Sequence, residues 1–372
     1  MAFEPPPTGQ ELEESHMRGR RSRWASLAVG SLLVCAKPAL AQESATPVRT
    51  APALAVLGEP LVTSAQFRPP ADLEFRAARI TSAGVRLHAE LFSLRSLSGR
   101  PLPTVVMGHG WGGTAAHFRR DAVDIARAGY LVLCFDYRGW GESEGRVILT
   151  RPSPVTPEPG RNQRFTAEVV EQREYVDPLE QASDWFSVIG WAAAEPAVDK
   201  ERIGIRGSSY SGGHVVHVAA FDPRVKAVVS QVGYFDSRPG SEAARQATYS
   251  ATAGRSHGEP YPPPRAVVVG RLAGAPILES FMRYAPVEDA AQVRDAAVLF
   301  VVAEKEELFD NGAQGRRAYE RMPSAKKKYV TIPGISHFGV YREAREQAVK
   351  YAIDWFDEHL KGRAASAGRE RR

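Results

Sequence analysis

Two cysteines in 372 residues leave almost no room for covalent cross-links. Cys35 falls in an N-terminal segment that reads as a removable leader, so the mature chain would keep Cys134 alone and form no intramolecular disulfide. Cys134 itself lies in an apolar, strand-like run, where a buried and inert thiol is expected. The fold must therefore be held by packing, which a chain of this length can supply. The apolar stretch Trp24–Cys35 is too short to cross a bilayer, so no stable membrane insertion is expected once the leader is removed. Charge of one sign is not gathered into a patch either. The formal charge is +5, and basic residues are scattered except at an Arg-rich start (Arg18, Arg20, Arg21, Arg23) and end (Arg363, Arg369, Arg371, Arg372). Without basic and aromatic residues interleaved, and without a nucleic-acid motif, these ends read as targeting and a solvated tail, and nucleic acid is excluded as a partner.

The N-terminus has the parts of an export signal. Met17-Arg-Gly-Arg-Arg-Ser-Arg23 is a basic region, the apolar run follows, and Ala39-Leu-Ala41 offers a small-residue cleavage site before Gln42. Met17 is the expected start. Cleavage after Ala41 removes five basic and four acidic residues and leaves +4, in a protein destined for the periplasm or the exterior. Arg20-Arg21 is a weak twin-arginine signal, so the export route stays open between that and the general one. Residues 42–70, rich in Pro, Ala and Thr, read as a flexible leader, and residues 363–372 as a disordered basic tail.

Between them, residues 71–362 alternate strand-like and helix-like patterns. Phe75–Thr81 and Val85–Leu94 form a hairpin around Ser82-Ala-Gly84. Thr104–Met107 is a short buried strand, a helix runs from about Ala115 to Ala128 with Phe118, Ala122, Ile125 and Ala126 on one face, and Tyr130–Phe135 is a continuous apolar strand. Strand, helix, strand in this order means a parallel pair with a crossover helix. Further helices are expected at 177–194, near 314–322 and over about 342–360, and further strands at 203–206, 225–231, 297–302 and 329–332. Two stretches interrupt the rhythm. Residues 144–175 read as a long surface excursion, and residues 233–290, with possible helices near 242–249 and 277–284, as a decorated loop or a cap. The fold class is α/β, a mostly parallel central sheet flanked by helices. Nothing in the sequence speaks to oligomeric state.

The chemistry converges on Arg202-Ile-Gly-Ile-Arg-Gly-Ser-Ser-Tyr-Ser-Gly-Gly-His214. A strand ends abruptly at Gly207 and a helix begins at once, so Ser209 sits in a tight turn that projects its hydroxyl. Ser211 stands where the G-x-S-x-G pattern has its second glycine. A serine needs a base, and an oriented carboxylate holds that base. His88, His214, His217 and His359 fall within predicted strands and helices, where packing accounts for them. His337, in the Gly-containing loop Pro333–Phe338 after the last strand, is the expected base, because catalytic groups gather at the C-terminal edge of parallel strands. The acid should lie between Ser209 and His337, and Val301-Val-Ala-Glu-Lys-Glu-Glu-Leu308 supplies candidates in Glu304, Glu306, Glu307 and Asp310. Glu306 is preferred for its distance past the strand end, with Glu307 the alternative. Oxyanion donors are expected from the amides of Tyr210 and Trp111, the latter in His109-Gly-Trp-Gly.

On these motifs, together with Asp136-Tyr-Arg-Gly-Trp-Gly-Glu-Ser143, the chain resembles serine hydrolases of the α/β-hydrolase superfamily over about residues 75–362. It is similar to the dienelactone-hydrolase-like and X-Pro dipeptidyl-peptidase-like branches. Dienelactone hydrolases proper use a cysteine nucleophile, and Cys134 is wrongly placed for one. The expected activity is hydrolysis of a small-molecule acyl ester through an acyl-enzyme on Ser209, with no metal or cofactor. Amide or peptide cleavage is the alternative within that class, and a non-catalytic exported binding protein the alternative outside it; fold alone does not separate them.

Overall fold

The computed structural model describes residues 61–263 and 266–362. The export signal, residues 42–60 of the leader and the basic tail lie outside the described residues. The chain order begins with the hairpin β1 (Leu73–Ser82) and β2 (Val85–Leu94), then β3 (Leu102–Gly108), α1 (Arg119–Arg127) and β4 (Leu131–Phe135). The short strands β5 (Arg146–Leu149), β6 (Val169–Gln172) and β7 (Tyr175–Val176) lead to α2 (Pro178–Ala194), β8 (Val198–Ser208), α3 (Tyr210–Phe221) and β9 (Val225–Gln231). Next come α4 (Glu242–Ser256), β10 (Val267–Val269), β11 (Leu272–Pro276), α5 (Leu278–Phe281) and α6 (Pro286–Asp289). The chain finishes with β12 (Ala297–Lys305), α7 (Arg317–Arg321), β13 (Lys327–Ser336) and α8 (Arg345–Leu360).

Eight strands form one sheet in the order β1-β2-β4-β3-β8-β9-β12-β13. Only β2 runs against the others: it is antiparallel to both β1 and β4, whereas every later pairing is parallel. A parallel strand needs cover on both faces, and β3 and β4 are accordingly buried at every residue. One core, on the face covered by α1 and α8, gathers Ala122, Ile125, Val349 and Phe356. The opposite core, under α2 and α3, gathers Trp185, Val188, Val215 and Val216. Helix α2 starts where Asp177 accepts the amides of Leu179 and Glu180 at 3.0 and 3.2 Å with Pro178 in the first turn, a start legible in Asp-Pro-Leu-Glu. Cys134 is fully buried and its thiol pKa is pushed up by burial, so it is inert.

Several expected boundaries move. The helix from Ala115 opens with a single 3-10 turn (Ala115–Phe118) before α1 begins at Arg119, because Thr114 and His117 cap each other's backbone there. Residues 144–175 are mostly exposed but not structureless, since β5 and β6 pair as an antiparallel hairpin. The helix near 242–249 extends to Ser256, and that near 277–284 shrinks to Leu278–Phe281. Strand β13 runs on to Ser336, so His337 stands at a strand end rather than within a free loop. The two interruptions also meet: β7 pairs in parallel with β11, and Gln172 Nε2 donates to the Tyr261 carbonyl at 2.8 Å. That contact joins positions 89 residues apart, which no local pattern encodes. Among the described residues no helix is long and apolar enough to cross a membrane.

Candidate active site

Ser209 occupies the turn between β8 and α3 with φ 57° and ψ −123°, a left-handed conformation that costs a non-glycine residue about 1–3 kcal/mol. The turn is held by Ser209 N–H donating to the Gln231 carbonyl at 2.9 Å and by Gly212 and Tyr234 amides donating to the Ser209 carbonyl. Gly207 is required here, because a Cβ on it would lie 2.1 Å from the Ser211 carbonyl oxygen. Ser211 departs from the glycine pattern without strain on its neighbours. Its hydroxyl hydrogen-bonds Tyr137 Oη at 2.8 Å, and Trp185 Nε1 donates to the same phenol at 2.8 Å.

The residues expected as base and acid stand at the ends of β13 and β12. His337 Nε2 lies 3.0 Å from Ser209 Oγ, and His337 Nδ1 lies 2.9 and 3.0 Å from the two oxygens of Glu306. With Nδ1–H donating to the carboxylate, Nε2 is left to accept the serine proton. Both side chains are buried, so the ion-pair partner of a histidine that takes up a proton is already desolvated and in place. The neighbouring acids hold backbone instead. Glu307 accepts the His337 amide at 2.6 Å, and Glu304 accepts the Gly334 amide at 2.7 Å. The three glutamates were rivals in the sequence, but the end of β12 and the two residues after it aim them at three different atoms of β13 and His337. Asp310, the fourth candidate, accepts amides of Gly312 and Ala313.

Of the expected oxyanion donors, Tyr210 directly follows the serine and Trp111 stands in a loop that abuts it. Tyr210 is the first residue of α3, where an N–H has no intrahelical acceptor. The loop carrying Trp111 presses on the elbow, since a Cβ on Gly110 would meet the Ser208 carbonyl oxygen and Ser209 Cβ at 2.8 Å. Among the described residues the Trp111 amide donates to no backbone acceptor. The Trp111 indole instead ties this loop to the hairpin β10–β11, donating to the Val267 carbonyl at 3.0 Å. Val269 and Leu272 of that hairpin line a cavity of about 910 Å³ that also contains Ser209. Thus part of 233–290, which the sequence left open between a decorated loop and a cap, lines the same cavity as Ser209.

His109, at the head of the same loop, does different work. Nε2 faces the Tyr137 amide at 3.4 Å while Nδ1 faces the Gly110 carbonyl at 3.0 Å, an arrangement that suits a neutral ring. Burial lowers its pKa to about 3. The unfolded chain therefore binds more protons than the folded one between pH 3 and 6.5, and stability should fall as pH drops through that window. The expected loss is about 2 kcal/mol by pH 5 from this residue alone. Urea unfolding midpoints measured from pH 7.5 to 5 check it: His109→Gln should flatten the slope by that amount, and an unchanged slope would contradict the assignment.

His214 and His217 do not gather as metal ligands. The first lies between Gln181 Oε1 (2.9 Å) and the Tyr284 hydroxyl, the second faces Asp289 at 2.8 Å. His88, Glu90 and Glu142 bring their ligand atoms within 4.8 Å of one another. Arg119 already grips Glu90 through Nε at 2.9 Å and NH2 at 2.5 Å, so the charge a cation would neutralise is satisfied.

Sheet order, the strained serine turn and the strand-end histidine together are those of the α/β-hydrolase fold. Comparison with known proteins agrees. The family model of X-Pro dipeptidyl-peptidases (S15 family) matches residues 83–255. The chain is 26% identical over 290 residues to an uncharacterized 31.7 kDa protein in the traX-finO intergenic region of Escherichia coli, covering 69% of this chain and 91% of that one. It is 31% identical over 180 residues to the quorum-quenching protein AidA of Acinetobacter baumannii, covering 48% of this chain and 49% of the relative. Among solved structures, hypothetical protein PA2218 from Pseudomonas aeruginosa superposes with a TM-score of 0.60 at 22% identity, over 80% of this chain and 97% of that one.

Proposed function

We propose that the protein is an exported serine hydrolase that cleaves carboxylic esters through an acyl-enzyme on Ser209. The observation that carries this reading is the unbroken hydrogen-bonded line from Ser209 Oγ through the His337 ring to the Glu306 carboxylate. Ser209 Oγ attacks the ester carbonyl as its proton passes to His337 Nε2, and Glu306 balances the imidazolium. The amides of Tyr210 and Trp111 receive the negative charge that develops on the carbonyl oxygen. His337 then gives its proton to the departing alkoxide, which leaves as the alcohol. A water molecule, deprotonated by the same nitrogen, attacks the acyl-enzyme, and the acid departs as Ser209 recovers its proton. Every step uses groups of the chain itself. Export rests on the sequence of residues 1–41, and its cleavage site can be read by N-terminal sequencing of protein recovered outside the cytoplasm.

A fluorophosphonate probe tests the enzyme. Native protein should label stoichiometrically and Ser209→Ala should not label at all; an unlabelled native protein would leave the non-catalytic binding protein as the reading. The match to X-Pro dipeptidyl-peptidases supports amide cleavage as a second reading. Hydrolysis of p-nitrophenyl acyl esters set beside aminoacyl-anilides separates the two, with the esters expected to turn over faster.

A further inference from the structure

The cavity that contains Ser209 does not stop at the catalytic groups. It continues as a trough between one face of α1 and one face of α8, roofed by residues 61–70. Its lining includes Val123 from α1, Val349 and Ile353 from α8, and Leu61 and Phe67 from the covering segment. The roof is anchored, since the Phe67 ring packs edge-on against Phe75 and Phe92 with centroids 5.0 and 5.9 Å apart. From Arg345 to Ile353 the trough follows α8 for about 12 Å at 1.5 Å per residue, room for an extended chain of roughly eight to ten carbons.

Charged side chains on the rim are largely spent on one another. Arg127 Nε meets Asp72 at 2.8 Å, Arg345 NH2 meets Asp124 at 2.6 Å, and Lys350 meets Asp354 at 2.5 Å. Rim charges paired in this way offer little to an anionic ligand, and what remains for a guest is the aliphatic floor. The cavity takes in Ser209, the oxyanion loop (His109, Gly110, Trp111) and, on the His337 side, Phe338 and Tyr341, before it runs on between α1 and α8. A leaving group must stay beside His337 Nε2, 3.0 Å from Ser209 Oγ, to receive its proton, so an arm that runs away along the trough is the other arm, the acyl chain.

Resting on the esterase reading above, we infer that the trough between α1 and α8 binds the alkyl chain of the acyl group, making medium-chain carboxylic esters the preferred substrates. Two ladders of substrate test this with the full chain: p-nitrophenyl esters from acetate to decanoate, and straight-chain alkyl acetates in which only the alcohol lengthens. In the first series kcat/KM should rise about three- to four-fold per methylene until the trough is filled, the yield of burying each one. The second series should stay flat. Val123→Trp and Ile353→Trp should each cut the decanoate-to-acetate ratio of kcat/KM at least tenfold. They stand on different helices, and fluorophosphonate labelling marks which variants are folded, so a folding failure in one leaves the other to decide. A flat acyl ladder in protein that labels, a rise confined to the alcohol series, or tryptophan variants with the native ratio would overturn the trough while leaving the serine hydrolase intact. Neither labelling nor hydrolysis by the native protein would instead overturn the reading on which it rests.

Discussion

Ser209→Ala and His337→Ala should each lower kcat for ester hydrolysis by roughly 10⁴–10⁶-fold, and the double variant should be no slower than the worse single one. The reason lies in the geometry. Serine oxygen and imidazole nitrogen stand 3.0 Å apart and act as one unit, so removing either leaves the other without a task. Glu306→Ala should cost less, roughly 10³–10⁴-fold, because the ring is still present but loses the partner that fixes its tautomer and balances its charge. Glu307→Ala should cost roughly ten- to a hundredfold, the range of one charge-assisted hydrogen bond, since it holds only the His337 amide. Steady-state kinetics on one ester across the four variants, with circular dichroism to confirm folding, gives the ranking. Native activity in Glu306→Ala would move the acid to another residue. An equal fall in Glu306→Ala and Glu307→Ala would show that the loop as a whole, rather than one carboxylate, orients the histidine.

Asp184→Ala should destabilise the protein by about 3–5 kcal/mol. Asp184 is fully buried on α2 and receives Arg138 through NH2 at 2.6 Å, Nε at 3.1 Å and the Arg138 amide at 3.0 Å. Arg138 is itself buried, so alanine would leave its guanidinium with only the more distant Glu180, 3.8 Å from NH1, as a counter-charge and with little access to water. The pair is not required for stability as such: a matched apolar replacement of both residues should recover most of the loss. Urea unfolding of Asp184→Ala, Arg138→Met and the double variant measures this, and a double variant as unstable as Asp184→Ala would contradict it. The same region bears on the site, because Tyr137, next to Arg138, links Trp185 of α2 to Ser211 of the elbow. Kinetic constants for folded Asp184→Ala should therefore be read below its melting range.

That motif shows how far a sequence can be read. Asp136-Tyr-Arg-Gly-Trp-Gly-Glu-Ser143 stood out by composition, yet outside the motif itself its side-chain partners are distant in the chain. Asp136 accepts the Ala115 amide at 2.6 Å and the Glu142 amide at 2.9 Å, Trp140 Nε1 donates to the Tyr175 carbonyl at 2.8 Å, and Ser143 accepts the His88 amide at 2.7 Å. These bonds fasten the loops at the strand ends to one another. The alternation of apolar strands and amphipathic helices, the small residues around Ser209 and the glycine loop at His109 are local properties, legible because backbone geometry demands them where they occur. The order Ser209, acid, His337 was legible too, since crossover connections deliver successive strand ends to one edge of the sheet.

Tertiary structure decided what depends on where long-separated segments meet. Among Glu304, Glu306 and Glu307 the sequence offered spacing alone, and the register of β12 against β13 chose which oxygen faces the imidazole and which faces an amide. The same holds for Ser211, whose departure from glycine is explained only by Tyr137 arriving 74 residues away. It holds most strongly for the cover of the site. The hairpin β10–β11 and residues 61–70 carry no periodic pattern of their own, and their places, the one beside Ser209 and the other along the trough, come from Trp111, Phe75 and Phe92, contacts that exist only once the sheet has formed. Chemistry was thus written locally, in residues that a strained turn and two strand ends require, while the shape of the space beside it depends on packing between segments with no sequence relation to one another.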